Sequence, residues 1–216
     1  MGRTQKCHSI VLRTHDVGEA DRFCILLTKE RGKIAARARG VRKPKSRMGG
    51  SLLALQETAV DIQEGSSGLN INSASCILDF SYELTLPNFL QAEQAMELLL
   101  SLLEDDHPIP DIFLLTQDFL YGCRQERQTY VLPFTIRLLQ QLGVLPQDES
   151  HQIFCHLSDD ERTFICECSR ERWWETALPP QDMDEQLSIL CNNIIGEQTS
   201  RTMRAKPVSQ AILEDS

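Results

Sequence analysis

Aromatic side chains are nearly missing from the first part of this chain: Phe23 is alone among the first 50 residues. That scarcity argues against a surface that binds single strands by stacking bases on rings. Long apolar runs are missing too, and no window approaches the roughly 18 consecutive apolar residues of a membrane span. The amino terminus has no apolar stretch behind it, so no secretory signal is expected. Lys6 stands where a myristoylation pattern needs Ser or Thr. There is no Gly-x-x-x-x-Gly-Lys-Ser/Thr, no Gly-x-Ser-x-Gly and no His-Glu-x-x-His, and so no signature of the common nucleotide, acyl-transfer or zinc-hydrolase sites. The chain reads as no enzyme and needs no cofactor. Asp105, Asp106 and His107 precede Pro108 and read as a helix-ending turn, and Asp159-Asp160-Glu161 as a solvated loop.

Charge is present but unevenly shared. The 216 residues carry a net charge of −9. The first 50 residues hold 13 Lys and Arg against 4 Asp and Glu, and the acidic excess lies in the rest. Such asymmetry signals divided labour along a chain. Six cations, Arg37, Arg39, Arg42, Lys43, Lys45 and Arg47, fall within eleven positions that contain no acid. A local basic patch on an acidic protein points to a locally bound anionic partner, with nucleic acid the leading class. Lys33 and Arg22 are lesser candidates for the same surface. Gly40 would allow close approach of backbone to phosphate, and Pro44 would stiffen the loop. A second class of partner is an acidic protein segment, which a non-enzymatic adaptor would bind through the same basic loop.

The eight cysteines are scattered, mostly inside apolar runs. They read as reduced, buried small hydrophobes, and the chain as cytoplasmic and nucleoid-associated.

Strand patterns come first. His8–His15, Arg22–Thr28 and Lys33–Arg39 are three, the last alternating Lys33, Ala35, Arg37 and Arg39 against Ile34, Ala36 and Ala38. Ser51–Gln63 holds one or two more, and Leu69–Leu78 closes the set after the Glu64–Gly68 turn. Five short strands in about 75 residues suggest a small barrel of the OB type. Helical spacing follows over Pro87–Leu103, Asp111–Cys123 and Thr129–Leu142, with Gly143 and Pro146 as stop signals. Beyond Gln147 the pattern is irregular, with a strand-like Thr163–Cys166 and one helix over roughly Asp184–Ile195. The expected fold class is α+β: an OB-fold domain over 1–80, a helical domain over 81–146, and an irregular or helical part over 147–216 packed on the helical domain. Trp173-Trp174 reads as a core anchor or an interface.

Several segments resemble the RecO family of bacterial recombination mediators. They are Ser9-Ile-Val-Leu-Arg-Thr14, Gly18-Glu-Ala-Asp21, Leu27-Thr-Lys-Glu-Arg-Gly-Lys33, the basic run Ala38–Gly50 with Leu53–Leu55, Phe80–Leu84, and Arg137-Leu-Leu-Gln-Gln-Leu-Gly-Val-Leu-Pro146. Ile195-Gly-Glu197 and Arg201–Lys206 only echo the family's closing segment. The resemblance implies binding of single- and double-stranded DNA, annealing of complementary strands, and recombinase loading on DNA coated by single-strand-binding protein. It implies RecR and the acidic tail of single-strand-binding protein as partners. A tail site needs an apolar pocket beside positive charge, for which Arg124, Arg127 and Arg137 are the candidates. Some members of the family carry a four-cysteine zinc site in the region of Cys155, Cys166 and Cys168. Here the Cys-x₂-Cys spacing is broken, and no metal is expected.

Overall fold

The computed structural model describes residues 4–82, 84–125, 130–146, 151–170 and 179–214, with side chains as far as Thr199 in the last helix. The fold is of the expected α+β class. Its chain divides into two compact units, Met1–Thr129 and Tyr130–Ser216. The sequence pattern had suggested segments 1–80, 81–146 and 147–216 instead.

The first unit opens with five strands: β1 (Thr4–Val17), β2 (Asp21–Thr28), β3 (Gly32–Ala38), β4 (Gln56–Gly65) and β5 (Gly68–Asp79). They close into a barrel in the order β1-β2-β3-β5-β4. All neighbours are antiparallel except β3 and β5, which pair in parallel from Ala36↔Leu69 to Ala38↔Ile71. The 51–63 region supplies a single strand. Alternation drives the barrel: Ile34, Ala36 and Ala38 are buried while Ala35 and Arg37 face out, because successive side chains point to opposite sides of a strand. The interior also takes Val11, Cys24, Leu26, Val60, Ile62 and Ile71.

Two helices complete this unit, α1 (Leu86–Leu102) and α2 (Pro110–Arg124). The Thr85 side chain caps α1 by accepting the Asn88 N–H, and a proline stands in the first turn of each helix, where a missing N–H costs nothing. The turn between them docks on the barrel. Arg31 forks onto Asp106 Oδ1 from Nε at 2.9 Å and from Nη2 at 2.6 Å, and the Asp106 N–H donates to the Lys33 carbonyl at 2.8 Å. Gly32 makes that approach possible: a Cβ there would sit 2.0 Å from the His107 carbonyl oxygen. Glu57 ties β4 to α2. Its Oε1 lies 2.5 Å from His8 Nε2 and accepts from Gln117 Nε2 at 2.8 Å. The His8 ring leans on Phe113 at 5.0 Å.

The second unit packs α3 (Val131–Gln141) against α4 (Asp159–Cys168) and α5 (Gln181–Glu214). The strand expected at Thr163–Cys166 is part of α4. Ser158 and Glu161 form a reciprocal capping box that starts this helix, and a short apolar run does not by itself tell strand from helix. Leu187, Cys191 and Ile194 form the buried stripe of α5. That helix runs well past the expected Asp184–Ile195. Trp173 and Trp174 lie outside the described residues. Among the described residues no helix is long and apolar enough to cross a membrane.

Candidate nucleic-acid interface

Residues 39–55 join β3 to β4 as a chain of turns. Apolar residues moor this loop. Val41 is 1% and Leu52 0% exposed, both in the barrel core, and Met48 packs on the same cluster. The Arg42 N–H donates to the Ala20 carbonyl at 2.9 Å, and Gln56 Nε2 to the Gly50 carbonyl at 3.0 Å. Gly40 takes φ +65° at the entry to the loop, a region that costs a side-chain-bearing residue energy. The basic run is therefore mounted on the barrel.

The cations fall into two sets. The first is held by the protein itself. Arg37 Nη2 lies 2.8 Å from Asp21 Oδ2. Arg22 Nε donates to Asp16 Oδ1 at 3.1 Å and its Nη1 to the Leu52 carbonyl at 3.0 Å. Arg42 Nε lies 3.3 Å from Asp16 Oδ2, and its Nη1 donates to the Gly18 carbonyl at 3.1 Å. Asp16 and Asp21 thus brace the β1–β2 turn against the loop. The Asp21 carboxyl is held below the usual carboxylate range, first by the Gly40 N–H, against some desolvation, and then by Arg37.

The second set is held loosely: only Arg39 has its charge drawn on, by the Asp21 carboxylate. Arg39, Lys43, Lys45 and Arg47 are exposed, and none of their side chains forms an ion pair or hydrogen bond with a described residue. Lys43, Lys45 and Arg47 lie on the loop and Arg39 at its root. Such cations can trade condensed counterions for phosphates without first breaking internal contacts.

Lys33 is not brought to this surface. It lies at the far end of β3, where its Nζ donates to the Leu100 carbonyl at 3.0 Å and faces Asp105 Oδ1 at 3.3 Å. Its work is to hold α1 and the following turn on the barrel. Asp16 and Asp21 were the parts that sequence reasoning missed. Their pairing is long-range and leaves no local trace in the sequence.

The first 80 residues match the family model described as Recombination protein O N terminal. A DNA repair protein RecO from Bacillus cereus (strain AH187) is 31% identical over 173 residues, which cover 75% of this chain and 69% of that protein. The chain belongs to the RecO family. A RecO relative from Heliobacterium modesticaldum is 34% identical over 148 residues, 67% of this chain and 54% of the relative. One from Myxococcus xanthus is 32% identical over 146 residues, 66% of this chain and 60% of the relative. The chain thus spans little more than half the length of these two.

The zinc site carried by some RecO members does not fit the residues here. Cys166 and Cys168 stand two positions apart on α4, about 200° around a helix of 3.6 residues per turn. Cys168 is buried, and desolvation pushes its thiol up to about 12, whereas Cys155 is exposed on a neighbouring turn. One thiolate set cannot gather from those directions. Among the described residues no three His, Cys, Asp or Glu side chains group as a metal site.

The three arginines suggested for a RecO partner's acidic tail have different surroundings. Arg137 donates to the Ser169 carbonyl and so caps the end of α4. Arg124 ends α2, half-buried; the Asp79 carboxyl is held low against desolvation by hydrogen bonds from Ser81 and Gln56, with a smaller contribution from the Arg124 charge. Arg127 lies outside the described residues.

Proposed function

We propose that this RecO-family chain is a DNA-repair mediator that binds single- and double-stranded DNA through the 39–55 loop and anneals complementary strands. The observation that carries this reading is the set of exposed cations, Arg39, Lys43, Lys45 and Arg47, on a loop moored by Val41 and Leu52. Arg37 and Arg42 border them and exchange Asp21 and Asp16 for phosphate oxygens. Arg22 supports the loop from below. Arginine forks onto phosphate, and lysine acts as a point charge.

Annealing follows from what the loop lacks. It carries no aromatic ring, so it neutralises phosphate repulsion while leaving bases free to pair. In this reading the chain works without catalysis, close to the nucleoid. It helps recombinase load on DNA covered by single-strand-binding protein, with RecR as a partner. Of the arginines suggested for the acidic tail, Arg124 keeps that role, because the Arg137 guanidinium is already spent on Ser169.

Binding of labelled single strands of increasing length tests the reading. Affinity rising with nucleotide number, together with faster annealing of complementary strands, is the expected result. Binding to an acidic peptide but not to DNA at low salt would move the loop to an adaptor's role.

A further inference from the structure

The outward face of β3 continues onto β5. Their parallel register sets Arg37 beside Asn70 and Ala38 beside Ile71. Ile71 points into the barrel, 3% exposed, so alternation turns Asn70 and Asn72 outward. At the end of this face a cleft of about 330 Å³ is lined by Arg39, Gln63, Asn70, Asn72, Ser66 and Ser67. That is the small end of the range for ligand clefts, ~300–1,000 Å³, and suits one nucleotide better than a duplex. Glu64 borders it as well, but its carboxylate is turned to Arg31 at 3.4 Å.

The amides in this cleft are oriented. Asn72 Nδ2 donates to Gln63 Oε1 at 2.9 Å, and Asn70 Nδ2 to the Gly68 carbonyl at 3.3 Å. Both Oδ1 atoms are left as acceptors, beside two serine hydroxyls that give or take a proton. The guanidinium of Arg39 is exposed and forms no ion pair or hydrogen bond with a described residue, although its charge reaches Asp21. Neutral acceptors next to an exposed guanidinium complement a phosphate attached to a group with N–H donors. No ring lines the cleft, so such a ligand is read at its edge and not by stacking.

We propose that this cleft is a single-strand subsite, in which Arg39 holds a phosphate while Asn70 and Asn72 accept hydrogen bonds from the N–H edge of an unpaired base. It rests on the DNA-binding reading and adds to it a discrimination that charge alone cannot supply. In a duplex the pairing edges are used; in a single strand they are free for such contacts. The loop cations attract either form, and the cleft favours the unpaired one.

The test compares a labelled mixed-sequence single strand with its duplex, on the native chain and on the Asn72→Ala and Asn70→Ala/Asn72→Ala variants. Asn72 is exposed and its side chain hydrogen-bonds Gln63, so Asn72→Ala folds even if the double variant loosens the hairpin. The double variant is expected to bind the single strand about three- to tenfold more weakly, the worth of one or two hydrogen bonds. Asn72→Ala shows a smaller loss of the same kind. The salt slope stays unchanged, since no charge is removed, and duplex affinity is kept. Unaltered single-strand binding, or equal losses on both forms, overturns the subsite while leaving DNA binding by the native chain in place. A native chain that binds neither form overturns the DNA reading and the subsite together.

Discussion

Asp21 Oδ1 accepts the backbone N–H of Gly40 at 2.7 Å. This contact fastens the root of the basic loop to the start of β2, and the same carboxylate faces Arg37 through its other oxygen. Asp21 therefore holds the loop in shape and masks one of its cations.

The two roles separate in variants. Asp21→Asn keeps an acceptor for Gly40 but drops the charge on Arg37. It is expected to bind single-stranded DNA a few-fold more tightly, since the negative charge that competes with phosphate for Arg37 is gone. Its log–log salt slope rises by about 0.7. Asp21→Ala loses the latch too, and faster amide exchange at Gly40 reports it.

The latch also has a pH dependence. The Asp21 carboxyl is depressed in the folded state, so its contribution is complete above the carboxyl's unfolded value. It is lost as pH falls through the lower, folded one. The protection of the Gly40 amide, its exchange taken relative to the intrinsic rate at each pH, should fall only on acidification below the ordinary carboxylate range, and Asp21→Ala should abolish that step. A step of equal size in Asp21→Ala would place its origin elsewhere.

Gly32 is the position where the first unit should be least tolerant. A Cβ would overlap the His107 carbonyl, and φ is +72°. Gly32→Ala is expected to cost about 1–3 kcal/mol or more, read as a lower midpoint of urea unfolding. Its loss should exceed that of Gly18→Ala, where φ is also positive but no atom lies within 4 Å.

Glu57 is buried, and its Oε2 has no hydrogen-bond partner among the described residues. Its Oε1 relies on His8 and Gln117. Removing one of these donors leaves a buried carboxylate short of partners, a cost of about 1–3 kcal/mol. His8→Ala should also lose the ring contact with Phe113 and so destabilise more than Gln117→Ala in the same urea titration.

Thiol reactivity follows burial. Desolvation pushes Cys24, Cys168 and Cys191 up to about 12, and Cys7 to about 11. Thiolate is the reactive form, so a pulse of alkylating agent at neutral pH should mark the exposed Cys155 ahead of the exposed Cys76, whose thiol desolvation pushes up. The five buried cysteines, Cys7, Cys24, Cys123, Cys168 and Cys191, should react only once the chain is unfolded, as peptide mapping would show.

How much of this was legible in the sequence depends on range. Alternation along Lys33–Arg39 is local, and it placed Arg37 and Arg39 on the outer face where the structure has them. The basic run was equally plain. Partners brought together by the barrel were not: Asp16 with Arg42, Asp21 with Arg37, and Asn70 beside Arg37 all depend on strand register. Lys33 looked like its basic neighbours because nothing in its own strand shows that the α1–α2 turn will cover it. Thr163–Cys166 was readable in principle, since Ser158 and Glu161 stand at capping-box spacing just ahead of the misread run.

The most direct measurement is the anisotropy of a labelled single-stranded oligonucleotide through a salt titration, on the native chain and on Lys43→Ala/Lys45→Ala/Arg47→Ala. None of these three exposed side chains forms an ion pair or hydrogen bond with a described residue, so the fold is kept and a difference reports the DNA. Losing three phosphate contacts at about 0.7 each should lower the salt slope by about 2, with a marked fall in affinity at low salt. An unchanged slope and affinity in the variant would contradict the account.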